Sequence, residues 1–311
     1  MSTTQKKKFT GYDKLILAVA VVYMLGVSIY MVWHQAFFSP DRFFVFAFLG
    51  MVLLGRASTF VWDWTPPILL ILGYDFLRGL VPHFITRTHI HIMIYFDRFI
   101  FGNVPTLILQ HAFFVDGHIR WYDQVAVVLY FLHFVVPLLV ALLFWFLDRK
   151  IFKQYMTAMV VLSYAAFITY IVFPAMPPWM AASQGFLPPV AHIMEQVLAS
   201  FAHPVSLPTV YQYFGANLVA AVPSLHAAYP FMTALFFIKK FGRVGIPVLL
   251  YPVVMWFSIV YLGEHYVFDI VVAIFYTLSI FACIINWKQV KTKLINKLFR
   301  KQNKFLIAEN N

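Results

Sequence analysis

Apolar runs about 20 residues long, the length a helix needs to cross the hydrocarbon core of a bilayer, recur along this chain and constrain its fold more than any other feature. Eight can be marked: Leu15 to Trp33, Phe43 to Trp62, Pro66 to Val81, Val125 to Leu147, Tyr155 to Phe173, Ser224 to Ile238, Ile246 to Leu262 and Tyr266 to Trp287. Composition agrees, since only 11% of the 311 residues are charged, against about 25% in a soluble domain. In lipid a chain must satisfy its own backbone hydrogen bonds, which leaves helices as the solution for runs of this length. The expected fold is an all-α, polytopic membrane helical bundle of about eight transmembrane helices with a six-helix catalytic core. Residues 1–12 form a cytoplasmic N-terminal tail, 13–287 the transmembrane catalytic domain, and 288–311 a basic cytoplasmic tail.

The net charge of +11 invites a nucleic-acid reading, but its placement argues for a membrane. Basic residues crowd at Lys6–Lys8 and Lys14, at Arg149, Lys150 and Lys153, at Lys239, Lys240 and Arg243, and after Trp287. Cytoplasmic loops concentrate Lys and Arg in this way. With both termini in the cytoplasm, the inner loops are Asp63–Thr65, Asp148–Gln154 and Lys239–Gly245, and every lysine falls inside. A multi-pass protein of the plasma membrane is expected, with no nucleic-acid partner. The basic start followed by a long apolar run reads as an uncleaved first helix. The tail from Lys288 to Lys304 has seven basic residues and no acid, suited to anionic inner-leaflet lipid. The single cysteine, Cys283, excludes an internal disulfide and a thiolate-built metal site; it reads as a small packing residue.

Two long stretches, His83 to Gln124 and Pro174 to Pro223, then lie outside. Parts of them, Ile90–Leu109 and Val190–Phe201, suit the membrane interface, and Trp33, Trp121 and Trp179 suit an outer aromatic belt.

The chemistry concentrates in two short motifs at the outer helix ends. One is Ala221-Val222-Pro223-Ser224-Leu225-His226; the other is Tyr261-Leu262-Gly263-Glu264-His265-Tyr266-Val267-Phe268-Asp269. His265 and Asp269 are four residues apart and share a helix face, with Cβ atoms about 5–6 Å apart. The carboxylate can then fix the imidazole tautomer and raise the basicity of the other nitrogen. His226 arrives at the same depth from a neighbouring helix. Singly, each residue has an equally good structural explanation. Jointly, at one depth, they point to nucleophilic catalysis at phosphorus: His265 as nucleophile, Asp269 as its partner and His226 as acid and then base, with no metal and no cofactor required.

Weaker candidates surround them. Arg78 is the cation best placed to hold phosphate oxygens, although it sits three residues from Asp75, where an intrahelical pair is the alternative. Ser224 either caps its helix or offers phosphate a hydroxyl and a backbone N–H. His133 either lines the site or is a buried structural histidine. Glu264 either binds an acceptor hydroxyl or faces water. Substrate contacts are therefore assigned to Arg78, Asp75, Ser224, Glu264 and His133.

The Pro-Ser-Leu-His and Gly-Glu-His-Tyr-Val-Phe-Asp segments resemble the second and third signature motifs of the type 2 phosphatidic acid phosphatase (lipid phosphate phosphatase) superfamily. Three further segments resemble the branch containing inositol phosphorylceramide synthases: Phe173–Trp179, Asp97–Gly102 with Pro105-Thr106, and Tyr74–Gly79. The resemblance spans roughly residues 60 to 275 and implies the same roles for His226, His265 and Asp269. Phosphatases of the superfamily place an arginine six residues before the nucleophilic histidine, where this chain has Ile259, and their first motif has no counterpart. The resemblance therefore favours transfer of a phosphoryl-linked head group, such as phosphoinositol, from a phospholipid donor to a lipid hydroxyl. A phosphatase acting on phosphatidate or polyprenyl pyrophosphate is the alternative enzyme. A lipid transporter or scaffold is the rival of another class, and would need no paired histidines.

Overall fold

The computed structural model describes residues 40–80, 87–200 and 219–287, together with Val22. Every element within them is helical. The first expected span, Leu15 to Trp33, and both tails lie outside the described residues.

Helix α1 (Pro40–Leu53) ends before Gly55, which has a φ of +65°, a conformation that glycine adopts without a Cβ clash. Helix α2 (Ala57–Leu80) then runs unbroken through Pro66 and Pro67. This corrects the expected loop at Asp63–Thr65; the break lies ten residues earlier, around Gly55. Asp63 tolerates its helical position because it is neutralised there. Trp145 Nε1 donates to it at 3.0 Å, Arg149 pairs with it, and Lys153 Nζ lies 3.8 Å away. The Arg149 guanidinium also lies 3.6 Å above the Trp145 ring. The prolines delete hydrogen bonds, but the neighbouring turn is clamped by packing. Trp64 is fully buried, with ring centroids 5.3 Å from Phe60 and 5.0 Å from Phe152.

Helices α3 (His91–Phe101) and α4 (Pro105–Phe113) meet at 67°. Gly102, at φ 76°, closes the first, and Pro105 opens the second at a position where its missing N–H costs nothing. Helix α5 (Trp121–Leu147) bends by 46° between His133 and Val135. Pro137 explains the bend, since it cannot donate to the carbonyl of His133 and its ring crowds that oxygen. Helix α6 (Arg149–Val172) is capped by Asp148, which accepts from the N–H groups of Lys150 and Ile151. The short helices α7 (Pro178–Ser183) and α8 (Ile193–Ala199) follow.

Helix α9 (Leu225–Phe241), a 3₁₀ segment (Gly242–Leu249) and α10 (Leu250–Tyr261) form a hairpin. Trp256 Nε1 donates to the Ala227 carbonyl at 3.2 Å, so the arms are antiparallel. At the bend a Cβ on Gly245 would sit 2.8 Å from the Phe237 backbone, which excludes larger residues unless the arms part. Helix α11 (Val267–Ile285) completes the bundle. Among the described residues three stretches are long and apolar enough to cross a membrane: Arg149–Val172, Leu225–Tyr261, which is this hairpin, and Val267–Ile285. The bent pair α3–α4 and the two halves of α5 raise the number to five. Cys283 is exposed on the flank of α11 rather than packed inside, contrary to expectation.

The main core runs along α2, α5, α6, α9 and α10, with Trp64, Phe144, Trp145, Phe152, Tyr155 and Phe236 fully buried. Two smaller cores cap one end, one around Met93, Val104, Ala175 and Tyr266, the other around Val127, Ile193, Val197 and Leu262. The opposite end is basic: Lys240 Nζ bonds Asp148 at 2.9 Å, next to the Asp63–Arg149–Lys153 group. His226 and Lys240 thus mark the two ends of α9, about 21 Å apart by helical rise. Charge and chemistry occupy opposite faces of the bundle.

Candidate active site

The turn between α10 and α11 carries the dyad. The carbonyl of Ile259 accepts from the N–H groups of both Glu264 (3.0 Å) and His265 (3.2 Å), closing the end of α10. Gly263, at φ 81°, lets the chain reverse; a Cβ there would meet Val190 at 3.0 Å. Ile259, which stands where phosphatases carry an arginine, has a fully buried side chain, so only its backbone serves the turn.

His265 Nδ1 lies 3.0 Å from Asp269 Oδ2, and the same oxygen accepts from the Tyr266 N–H at 3.0 Å. A carboxylate accepts the Nδ1 proton, leaving the Nε2 lone pair of His265 outward. That Nε2 is 3.3 Å from Nδ1 of His226, and the ring centroids are 5.4 Å apart. The three residues expected from the sequence therefore meet in one hydrogen-bonded row.

Ser224 is buried and caps α9, accepting from the Ala227 N–H at 3.2 Å; its capping role is the one observed. The lead-in to Ser224 is held by short backbone pairings. Ala175 N–H donates to Val219 O at 2.8 Å, His89 N–H to Pro174 O at 2.7 Å, and Tyr170 Oη to Pro223 O at 2.9 Å. The Phe173–Trp179 segment thus braces the extended stretch that leads to His226.

His133 is buried beside His226, with centroids 3.8 Å apart, and its Nδ1 donates to the Tyr130 carbonyl at 2.6 Å. Tyr130, which the sequence reading did not single out, also stacks on His226, at 4.0 Å and 28°. It is on the His133 face, three residues back, which is the only signal the sequence holds. Arg78 Nε lies 3.9 Å from Asp75 Oδ1, a long pair along one face of α2. The intrahelical pair is therefore the contact observed for both residues, and the Arg78 guanidinium lies 6.0 Å from the Tyr74 ring centroid.

Glu264 does not face water. Its Oε1 is 3.0 Å from Nε2 of His192, whose Nδ1 is 3.1 Å from Glu195. The His192 ring is stacked on Trp179, with centroids 4.4 Å apart at 8°, so Trp179 packs against the site rim instead of standing free in a belt. Burial pulls the His192 pKa down, but Glu264, by hydrogen bond and charge, and then Glu195 outweigh it; the net shift is upward. A raised folded pKa means stabilisation that is complete below the ordinary histidine value near 6.5. It fades as pH rises through the folded value. The melting-temperature gap between the native protein and His192→Gln in detergent should therefore be largest near pH 5.5 and close towards pH 9; a gap that ignores pH would remove the ion pair from this account.

Among the described residues no three histidine, cysteine, aspartate or glutamate side chains converge as a metal site.

Two histidines and a buried aspartate meet in a row at one end of a bundle of apolar helices, and the comparisons supply the class: enzymes of lipid phosphoryl transfer. The chain belongs to the PAP2 superfamily, whose family model matches residues 91–283. It is also similar to a phosphoinositol dihydroceramide synthase of Bacteroides thetaiotaomicron, 26% identical over 213 residues, covering 65% of this chain and 69% of that protein. No solved structure matches. Family and relative together make the chain a lipid phosphotransferase or phosphatase. The family match begins at His91, so the Tyr74–Gly79 segment with Asp75 and Arg78 lies outside it.

Proposed function

We propose that the protein transfers a phosphoryl-linked head group, such as phosphoinositol, from a phospholipid to the hydroxyl of a second lipid at the extracytoplasmic face. The observation that carries this reading is the row Asp269–His265–His226, with the nucleophilic nitrogen 3.3 Å from the proton donor. His265 Nε2 attacks phosphorus, and the bond from phosphorus to the diacylglycerol oxygen breaks. His226 gives its proton to that oxygen. The covalent phosphohistidine is then attacked by the acceptor hydroxyl, whose proton returns to His226, and the P–N bond breaks. Asp269 holds the Nδ1 proton of His265 throughout and supports the positive charge that grows on the ring. Arg78 holds phosphate oxygens. The step as written uses no metal ion.

Burial of the site favours the second lipid over water as acceptor, since His265 and Asp269 are 5% and 0% exposed. His226 Nε2 is likewise buried and has no hydrogen-bond partner among the described residues; leaving such an atom unsatisfied costs about 1–3 kcal/mol, and a substrate oxygen can satisfy it. The basic end of the bundle suits the cytoplasm, which supports reading the histidine end as extracytoplasmic. The relative's name fits a ceramide-like acceptor.

The test is purified protein in mixed vesicles with labelled phosphatidylinositol, phosphatidate or polyprenyl pyrophosphate, with and without a ceramide or diacylglycerol acceptor. A new inositol-bearing lipid with no free phosphate supports transfer. Release of inorganic phosphate without any acceptor would make it a phosphatase, and no turnover of any donor would leave a transporter or scaffold.

A further inference from the structure

Three polar side chains from α3 and α4 are buried and turned onto the backbone around the dyad. Asp97, 0% exposed, accepts from the N–H groups of Val267 and Phe268, each at 3.0 Å. Thr106 Oγ1 donates to the carbonyl of Val260 at 2.9 Å. Gln110 Nε2 donates to the carbonyl of Tyr261 at 2.9 Å, while its amide also grips both backbone groups of Ala191, at 2.8 and 3.0 Å. The turn is thus fastened at both shoulders, at 260–261 and at 267–268, with His265 between them.

Asp97 has the most leverage. The first N–H groups of a helix lack intrahelical partners, and α11 opens with Val267 and Phe268. A helix start normally finds its cap in the residue just before it. Here the preceding Tyr266 is fully buried among apolar neighbours, and the carboxylate that takes both protons comes from 170 residues away. Those two N–H groups belong to the same first turn as Asp269, whose carboxylate holds His265. Fixing that turn therefore fixes the direction in which Nε2 of His265 points.

Resting on the reading of His265 as nucleophile, we infer that Asp97 is a positioning residue for the transfer, and that α3 and α4 form the mould in which the catalytic turn is set. Asp97 does not touch the reacting atoms; it acts through the start of α11. This gives a physical use to the Asp97–Gly102 and Pro105-Thr106 segments: they supply the cap, the bend and the threonine that together grip the turn.

The test compares Asp97→Ala, Asp97→Asn and His265→Ala in the vesicle assay, with melting temperature followed in detergent. Displacing a reacting group by about 1 Å can cost on the order of 10²-fold. Asp97→Ala should lower kcat by that order and leave the KM for the donor within about threefold. Asp97→Asn keeps the size and one accepting oxygen, so it should recover part of kcat. If Asp97→Ala does not fold, the same split of kcat against KM is read from Asp97→Asn alone. Wild-type kcat in a folded Asp97→Ala or Asp97→Asn protein, beside an inactive His265→Ala, overturns the positioning role and leaves the catalytic reading intact. KM rising in step with the loss of kcat also overturns it. An active His265→Ala instead sinks the catalytic reading itself.

Discussion

His265→Ala is expected to lose at least about 10⁴-fold in turnover while remaining folded and able to bind lipid, because a covalent route has no substitute nucleophile. The ring sits 3.0 Å from Asp269 and 3.3 Å from His226, so deletion removes the attacking atom without removing a large part of the core. The native protein, given labelled donor and no acceptor, should carry the label as an acid-labile, alkali-stable adduct on histidine, and His265→Ala should carry none. Turnover retained in the variant with no adduct would exclude the phosphohistidine route, leaving water or the acceptor to attack phosphorus directly; a retained adduct would instead assign the nucleophile to another histidine.

His226→Ala is expected to show a smaller loss that depends on the leaving group. General acid catalysis contributes about 10²–10⁴-fold, and that contribution matters most when the departing oxygen is strongly basic, as in diacylglycerol. A nitrophenyl phosphodiester departs as a stabilised anion and needs no proton. With that donor, His226→Ala should release an initial burst of nitrophenolate close to the native rate. It should then stall, because the second step still needs a base to activate the acceptor. Equal losses for both donors would show that His226 is not the acid. Two rings frame His226, Tyr130 at 4.0 Å and His133 at 3.8 Å, so Ala at this position also loosens the stack. His226→Gln, closer in shape, separates that packing effect from the loss of the proton.

The dyad was legible because its information is local. Asp269 lies in the first turn of α11 and His265 in the turn just before it rather than on the helix face, so four residues of local chain still bring them together, and His226 follows a serine that reads as a cap and acts as one. Runs of uninterrupted apolar residues likewise located α5, α6, α9 and α11 closely. What the sequence hid was long-range compensation. Asp63 beside two prolines reads as a loop, and only the fold brings Trp145 and Arg149, more than 80 residues later, to make it acceptable inside α2. Glu264 beside the nucleophile reads as a substrate ligand, yet His192 occupies one of its oxygens. Asp97 reads as a charge in an apolar run, and its partners are two backbone N–H groups that carry no side-chain signature at all. Single-sequence patterns report faces and periods; they do not report which distant group answers a buried charge.

The order of the grip along the chain has a consequence for biogenesis. Asp97, Thr106 and Gln110 are synthesised some 150 residues before the segment they hold, so the die is cast in the membrane well ahead of the metal poured into it. A ribosome-bound chain that stops short of residue 269 has its early helices but no assembled chemistry. The row of Asp269, His265 and His226 is complete only once α11, the last helix among the described residues, has been made.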